Sequence, residues 1–414
     1  MNRSLLYLAF LTIGFQLTTV SCRAQVPGCT DPLANNHHAS ATENDGSCTY
    51  DPVTVSPESS LLLSEQLSGT SGLICWDGYV WTHNDHEDLN LYGLDTIHGG
   101  IGRTLNMDGV ENMNWEEITQ DEDYIYLGDF GNNNSGNRED LHILRISKAS
   151  LKAGVALIDT IGFVYEDQWD FSPAEPNLND FDCEAFLPAG DSLYLFTKQW
   201  ISGGTCVYAL PKIPGNYSAV KIRNFESQGL ITGASFLETS KLLVLCGYTS
   251  VLQPFLWLMY DFRGTDFFSG NKRKISLSLP FHQVEGIATG NGLNYYISNE
   301  SFELEPVVST PQKLHLFNLE ELLGDYLSPL GLGESPSGYV LKVYPNPVRE
   351  VISLQIPDEA IGKVYEIMNS SANILISGVV TGKQLSIPAG NLSPGIYSIR
   401  IRDVNGPALP FLKL

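Results

Sequence analysis

Short apolar runs that alternate with polar residues recur along the chain, bounded by Gly, Asn, Asp and Pro, a pattern of strands and turns. Three aromatic examples are Tyr124-Ile125-Tyr126-Leu127, Leu193-Tyr194-Leu195-Phe196 and Asn294-Tyr295-Tyr296-Ile297. Each is preceded by a strand that opens with a glutamate in the same register: Trp115-Glu116-Glu117-Ile118, Cys183-Glu184-Ala185-Phe186 and Val284-Glu285-Gly286-Ile287. Thirteen residues after each glutamate stands a polar residue at the end of the second strand, Asp129, Thr197 and Ser298. Two further units carry a hydroxyl instead: Ser71, with Asn84 thirteen residues on, and Thr232, ahead of Leu242–Leu245.

Third strands are expected at Leu89–Asp95, Leu141–Ile146, Thr205–Leu210, Phe255–Tyr260 and Lys313–Asn318, and outer fourth strands at Ile161–Tyr165, Val220–Phe225 and Arg273–Leu279. The aligned positions 71, 116, 184, 232 and 285 are separated by 45, 68, 48 and 53 residues. Four strands per repeat of this length is the signature of a β-propeller. The chain is therefore read as all-β, with five blades over residues 58–323. The long interval holds an insertion, Glu166–Asp180, and a degenerate sixth blade there is the alternative. Ser60–Gln66 is placed as the missing outer strand of the last unit, closing the ring and removing an exposed edge.

The remaining regions differ in composition. Residues 1–24 read as a signal peptide, with Arg3, an apolar run from Leu5 to Val20 and cleavage after Ala24; lipoprotein processing before Cys22 is the alternative. No later segment has the length and apolarity of a membrane span, so none is expected in the mature protein. Residues 26–50 form an acidic module in which Cys29 and Cys48 form a disulfide in an oxidising compartment. A Cys183–Cys206 bridge is left open. Residues 324–339, rich in Gly, Ser and Pro, read as a linker, and residues 340–414 as a terminal domain. With Lys+Arg 24 against Asp+Glu 47 the net charge is −23, which repels nucleic acid and anionic lipid.

In a propeller the start of the innermost strand and the end of the second lie on one face. Glu116, Glu184, Glu285, Asp129, Asn84, Asn299, His83 and Lys198 are thus expected near the axis there. Converging carboxylates repel unless their pKa values rise or a cation binds. The oxygen-rich inventory suits Ca²⁺ better than zinc, with Glu116, Glu184, Glu285 and Asp129 as its ligands. The competing reading is that these acids only brace neighbouring blades through backbone N–H groups. Asp129-Phe130-Gly131-Asn132-Asn133-Asn134 is either a tight turn or part of the site. No phosphate loop, His-Glu-x-x-His motif or nucleophile elbow is present.

Residues 340–414 resemble the C-terminal sorting domain (type A) of type IX secretion cargo. The residues that carry the likeness are Tyr344-Pro345-Asn346-Pro347 and Leu392-Ser393-Pro394-Gly395-Ile396-Tyr397. The resemblance implies an immunoglobulin-like β-sandwich, the type IX secretion machinery as a partner, and passage through the periplasm to the surface or beyond. Gly28–Asn35 and Asp45–Tyr50 resemble a short acidic repeat of the same secreted proteins, in which Asp31, Glu43 and Asp45 are candidates to hold calcium. The middle region resembles propellers of such cargo and, more distantly, calcium-dependent lactonase and phytase-like propellers. The expected function is an extracellular binding module with a cation at its acidic face and an unidentified ligand. The alternatives are a metal-dependent hydrolase assisted by His83 or Lys198 and an adhesion scaffold; whether the chain is an enzyme is not decided by its sequence.

Overall fold

Alternation of buried and exposed positions builds five four-stranded antiparallel sheets in the central region of the computed structural model, which describes residues 25–304, 306, 308–328, 343–344, 346–356, 360–369, 374–402 and 409–414. The expected signal peptide and the Cys22 alternative lie outside the described residues, as does the linker beyond residue 328. Blade 1 comprises Thr70–Trp76, Tyr79–Asn84, Asn90–Leu94 and Ile101–Asn106. Blade 2 comprises Trp115–Gln120, Tyr124–Asp129, His142–Ser147 and Ile158–Tyr165; blade 3, Asp182–Ala189, Ser192–Lys198, Thr205–Pro211 and Gly215–Phe225. Blade 4 comprises Leu230–Leu237, Leu242–Tyr248, Pro254–Tyr260 and Asn271–Leu277. Blade 5 takes Val284–Thr289, Asn294–Asn299 and Lys313–Asn318 from one end of the ring and Ser59–Leu62 from the other. That last pairing closes the ring one residue earlier than expected, and Glu65–Leu67 turns into a 3-10 helix instead of extending the strand.

Five innermost strands neighbour one another in sequence order and return to the first. Five apolar clusters lie between successive blades, from Trp81 and Trp115 between blades 1 and 2 to Leu73 and Leu314 between blades 1 and 5. Each sheet has two apolar faces and buries both against its neighbours, which is why the inner strands read as continuous hydrophobic runs. No strand falls in residues 166–181, so a sixth blade is not formed there. The outer strands of blades 2 and 3 pair in parallel, Ile161–Tyr165 with Gly215–Ala219, joining the two blades into one sheet.

All five innermost strands carry an irregularity at the same place. Pairing skips Ser71 and Gly72, Glu116, Glu184, Thr232, and Glu285 and Gly286. The aligned positions of the repeat are therefore β-bulges, which free one residue from the ladder and re-aim its side chain.

The Cys29–Cys48 disulfide staples residues 26–50, and this module is clamped to blade 4. Asp31 accepts from the hydroxyls of Tyr50 (2.7 Å) and Tyr260 (2.5 Å), and Arg273 lies over the Tyr50 ring. Glu43 pairs with Arg263, and Asp45 accepts from the Ser47 N–H, so the acids considered for calcium are spent on packing and turns. Thr54–Val55 adds a parallel strand to the same blade. Cys75, Cys183, Cys206 and Cys246 are free thiols, which leaves the Cys183–Cys206 bridge unformed. The helix Glu320–Leu327 occupies the start of the region read as linker. The terminal domain stacks a three-stranded on a four-stranded sheet around Ile352, Leu354, Ile367, Ile387, Ile399 and Phe411. There Asn346 Oδ1 accepts from the Leu412 N–H and Tyr397 stacks on Phe411.

Candidate functional site

Burial brings Glu116, Glu184 and Glu285 together with Lys198 on the axial face, and each is under a tenth exposed. Lys198 Nζ lies 3.1 Å from Glu184 Oε1, 4.7 Å from the Trp200 ring and 5.4 Å from the Tyr248 ring. Against the pull of burial, the negative charge of Glu184, with Glu285 and Asp182, holds the ammonium well above the ordinary lysine range. Lys198 is a fixed cation, unsuited to accept a proton.

The acids outnumber it. Burial, then the charges of Glu184 and Asp182, push the Glu116 carboxyl well above the ordinary range. Burial does the same to Glu285, opposed by Lys198 and reinforced by Glu300 and Glu184. Asp182 is fully buried and pushed up by burial and Glu184, although it accepts from the Asn132 N–H (2.6 Å) and Trp200 Nε1 (2.8 Å). Glu300, raised to about 7 by burial and by Asp85, completes the group. Asp85 in turn pairs with the exposed His86 at 2.6 Å. Two atoms of the site lack partners among the described residues: Glu285 Oε2 and Asn114 Oδ1 are buried without a hydrogen bond.

Four expected members belong elsewhere. Asp129 accepts from the N–H groups of Met113 (3.0 Å) and Asn114 (3.1 Å) and pairs with Arg138 (2.9 Å), so its carboxylate braces blade 2 and is not a free metal ligand. Asn84 donates to Gln66 and Asp88, tying blade 1 to the closing segment. Asn299 is held by Pro311 and His315 within blade 5. His83 packs edge-on against Trp115, and burial lowers its pKa to about 4. Asn84, Asp129 and Asn299 end their strands and bond within their own blades; the site instead draws on Lys198, the last residue of its strand, and on Asp85 and Glu300 just beyond theirs.

The turn after Asp129 supports the site from behind. Gly131 is required because a Cβ there would lie 1.8 Å from Asn114 Nδ2 and 2.2 Å from Glu116 Oε1. Asn114 Nδ2 donates to that same oxygen at 2.5 Å. The insertion packs on this turn through Asn177 N–H to Asn133 O and Asn179 Nδ2 to Asn132 O.

The sequence reading missed Glu117. It is fully buried and accepts from the N–H groups of Ile118 (2.9 Å) and, across the axis, Ala234 of blade 4 (2.9 Å). The Leu73 N–H of blade 1 also stabilises it, while burial pushes its pKa well up. The equivalent positions in the other blades are Gly72, Ala185, Gly233 and Gly286. Four minimal residues and one glutamate were the available signal: the small residues open the axis and Glu117 fills it. Ser71 and Thr232 donate to the Glu116 and Val284 carbonyls of the next blades. Those two bulges brace, leaving the three glutamates to face the well.

Among the described residues no group of three or more His, Cys, Asp and Glu side chains is arranged to hold a metal ion. Of the acids on the axial face only Glu184 is paired with the Lys198 ammonium, at 3.1 Å. No helix among the described residues is long and apolar enough to cross a membrane.

Residues 342–409 match the model of the secretion system C-terminal sorting domain. No curated protein matches the chain. Among solved structures it is distantly similar to PorZ, a bacterial surface component of the type-IX secretion system of Porphyromonas gingivalis. That match has 11% identity and a TM-score of 0.30, covering 83% of this chain and 45% of that one, so the chain spans less than half of PorZ. The RRP9 WD40 repeats match at 9% identity and TM-score 0.35, covering 63% of this chain and 99% of that one. The extracellular domain of BT4673 from B. thetaiotaomicron matches at 11% and 0.29, covering 89% and 59%. With its tail matched and its blades counted, the chain is type IX secretion cargo, a β-propeller followed by a C-terminal sorting domain that directs it to the cell surface or the extracellular space.

Proposed function

We propose that the propeller is an extracellular binding module whose acidic axial well takes a positively charged group. The observation that carries this is the buried Glu285 Oε2, unpartnered in a well where Lys198 is one cation against Glu116, Asp182, Glu184, Glu285, Glu300 and Asp85. Burial and mutual repulsion favour the protonated forms of Glu116, Asp182, Glu285 and Glu300, so an arriving cation displaces protons from them. An alkylammonium or guanidinium would donate to Glu285 Oε2 beside the Lys198 ammonium, whereas calcium needs several carboxylate oxygens, and Glu184 is already paired with Lys198. The hydrolase alternative loses both of its expected helpers, since Lys198 is held protonated and His83 is packed against Trp115.

Calorimetric titration of the mature chain with n-butylammonium, and separately with calcium, tests the reading. Butylammonium is expected to bind with release of protons, more tightly above neutrality than in mild acid, and to lose affinity in Glu285→Gln. Absence of binding at every pH, or binding without proton release, would refute it.

A further inference from the structure

Four exposed apolar residues stand close in sequence to members of the acidic well, in the loops that precede or follow its strands. Ile201 stands three residues after Lys198, Val251 three after Tyr248, Leu178 four before Asp182 and Phe281 four before Glu285. All four are more than half exposed. They form two lips. In the first, the Ile201 N–H donates to Asp180 and the Trp200 N–H to Asn179 O, fastening the turn after Lys198 to the segment that carries Leu178. In the second, the Phe281 N–H donates to Leu252 O at 2.8 Å. Leu252 and Phe281 both adopt left-handed backbone, with φ of 54° and 64°. Bulky residues rarely enter that region, and strain of this kind gathers at ligand clamps. Here it presents Phe281 and Val251 to solvent.

We propose that the occupant of this face is a polypeptide that inserts one lysine or arginine side chain into the well and lays flanking apolar residues across the two lips. The inference rests on the cationic-ligand reading above and names the source of the cation. Lys198 shows the environment on offer to an ammonium, a carboxylate at 3.1 Å and two aromatic faces. The second, independent feature is Glu285 Oε2, an acceptor of a 7% exposed side chain with no partner. A bare metal ion would make no use of the lips, and the overall charge of −23 repels nucleic acid and anionic lipid. Acidic centre and apolar rim together match a basic side chain carried on a peptide.

The test uses the mature full-length chain and a fluorescein-labelled peptide with a central lysine flanked by leucine and phenylalanine. Its lysine-acetylated twin and n-butylammonium serve as comparators. The unmodified peptide is expected to bind at least about tenfold more tightly than the acetylated one, the effect of removing a charge from a paired site. Phe281→Asn keeps a residue that accepts left-handed backbone, and Ile201→Ser sits on an exposed turn, so both variants should fold. Each is expected to weaken the peptide several-fold while leaving butylammonium binding unchanged. Equal affinity for the two peptides, or no effect of both lip variants, would overturn the inference. If butylammonium still binds in that case, the cationic well stands and only the peptide is wrong; if nothing binds, both readings fall.

Discussion

Replacing Lys198 with methionine tests the electrostatics of the well directly. The side chain is 4% exposed and its partner Glu184 2% exposed, at 3.1 Å. At an effective dielectric constant of about 20, the attraction between two unit charges at that distance is about 5 kcal/mol. Much of it offsets the cost of burying both ions, so the pair adds little over an apolar replacement of both. Losing one partner is different: it strands the other charge, at about 3–5 kcal/mol. In the variant the well relieves the lost cation by taking up protons, the direction in which burial already pushes Glu116 and Glu285. Protonation is free in acid and costs about 1.4 kcal/mol for each pH unit above the unfolded pKa.

The penalty of Lys198→Met should therefore be small near pH 5 and larger near pH 8, by about 2 kcal/mol or more. All six tryptophans (76, 81, 115, 169, 200 and 257) lie in the propeller, so urea unfolding followed by tryptophan fluorescence reports on the ring alone. The quantity to compare is the difference between variant and wild type at each pH. A penalty equal at both pH values, or larger in acid, would refute the ion-pair account and leave only lost packing. Calcium added to the variant provides a further check. With the internal ammonium gone, the ion should stabilise Lys198→Met more than the wild type.

Three other outcomes are expected. Because Glu300 has its pKa raised to about 7 by burial, the folded state binds the extra proton, and stability falls as pH rises from about 4.5 to about 7; Glu300→Gln should remove roughly 3 kcal/mol of that slope, checked by urea midpoints across the range. Gly72→Ala places a Cβ 2.2 Å from Glu117 Oε1 and 2.4 Å from the Ile118 N, and should cost about 1–3 kcal/mol in the same assay, whereas Gly100→Ala, with nothing within 4 Å, should be near neutral. Removing the Cys29–Cys48 link with paired serines frees a separation of 19 residues and should cost the N-terminal module about 3 kcal/mol, seen as faster hydrogen exchange in residues 26–50 with the inner strands still protected.

Blade number and ring closure were legible because both depend on patterns the backbone imposes. Sheets buried on both faces need apolar inner strands, and an open edge needs a partner, so a closing strand is expected at Ser60–Gln66 and forms at Ser59–Leu62. The outer strand of blade 1, Ile101–Asn106, was not expected, since its half-exposed residues Ile101, Arg103 and Leu105 carry little apolar signal. Glu116, Glu184, Glu285 and Lys198 lie together on the axial face, whereas Asp129, Asn84 and Asn299 turn into their own blades and His83 packs against Trp115. Counting thirteen residues reaches the end of the second strand, and there the side chain bonds within its own blade. The charged positions of the axial face lie one or two residues further on, Lys198 at the last residue of its strand and Asp85 and Glu300 just beyond theirs, where no periodicity encodes direction. The Lys198 ammonium as a built-in cation was also hidden, because sequence places both charges on one face without pairing them.

The bulges explain which blades send an acid to the axis. A bulge frees one residue per blade from the ladder, and its chemistry decides whether it braces or faces the axis. Hydroxyls at Ser71 and Thr232 reach the neighbouring carbonyls and stop there. Glutamates at 116, 184 and 285 are longer and carry no donor when ionised, so a carbonyl cannot satisfy them. One residue deeper, Glu117 spans the opening left by Gly72 and Gly233 and fixes blade 2 to blade 4. Its carboxyl closes the axis beneath the other acids. A ligand that enters this well must leave by the same face, between the lips formed by Ile201 and Phe281. Loss of the Glu117 brace should therefore loosen the floor without supplying a new partner for Glu285. Glu117→Gln retains the acceptor oxygen but turns an NH₂ toward one of the N–H donors that now meet the carboxylate, so it should lower stability while the charge of the well above stays the same.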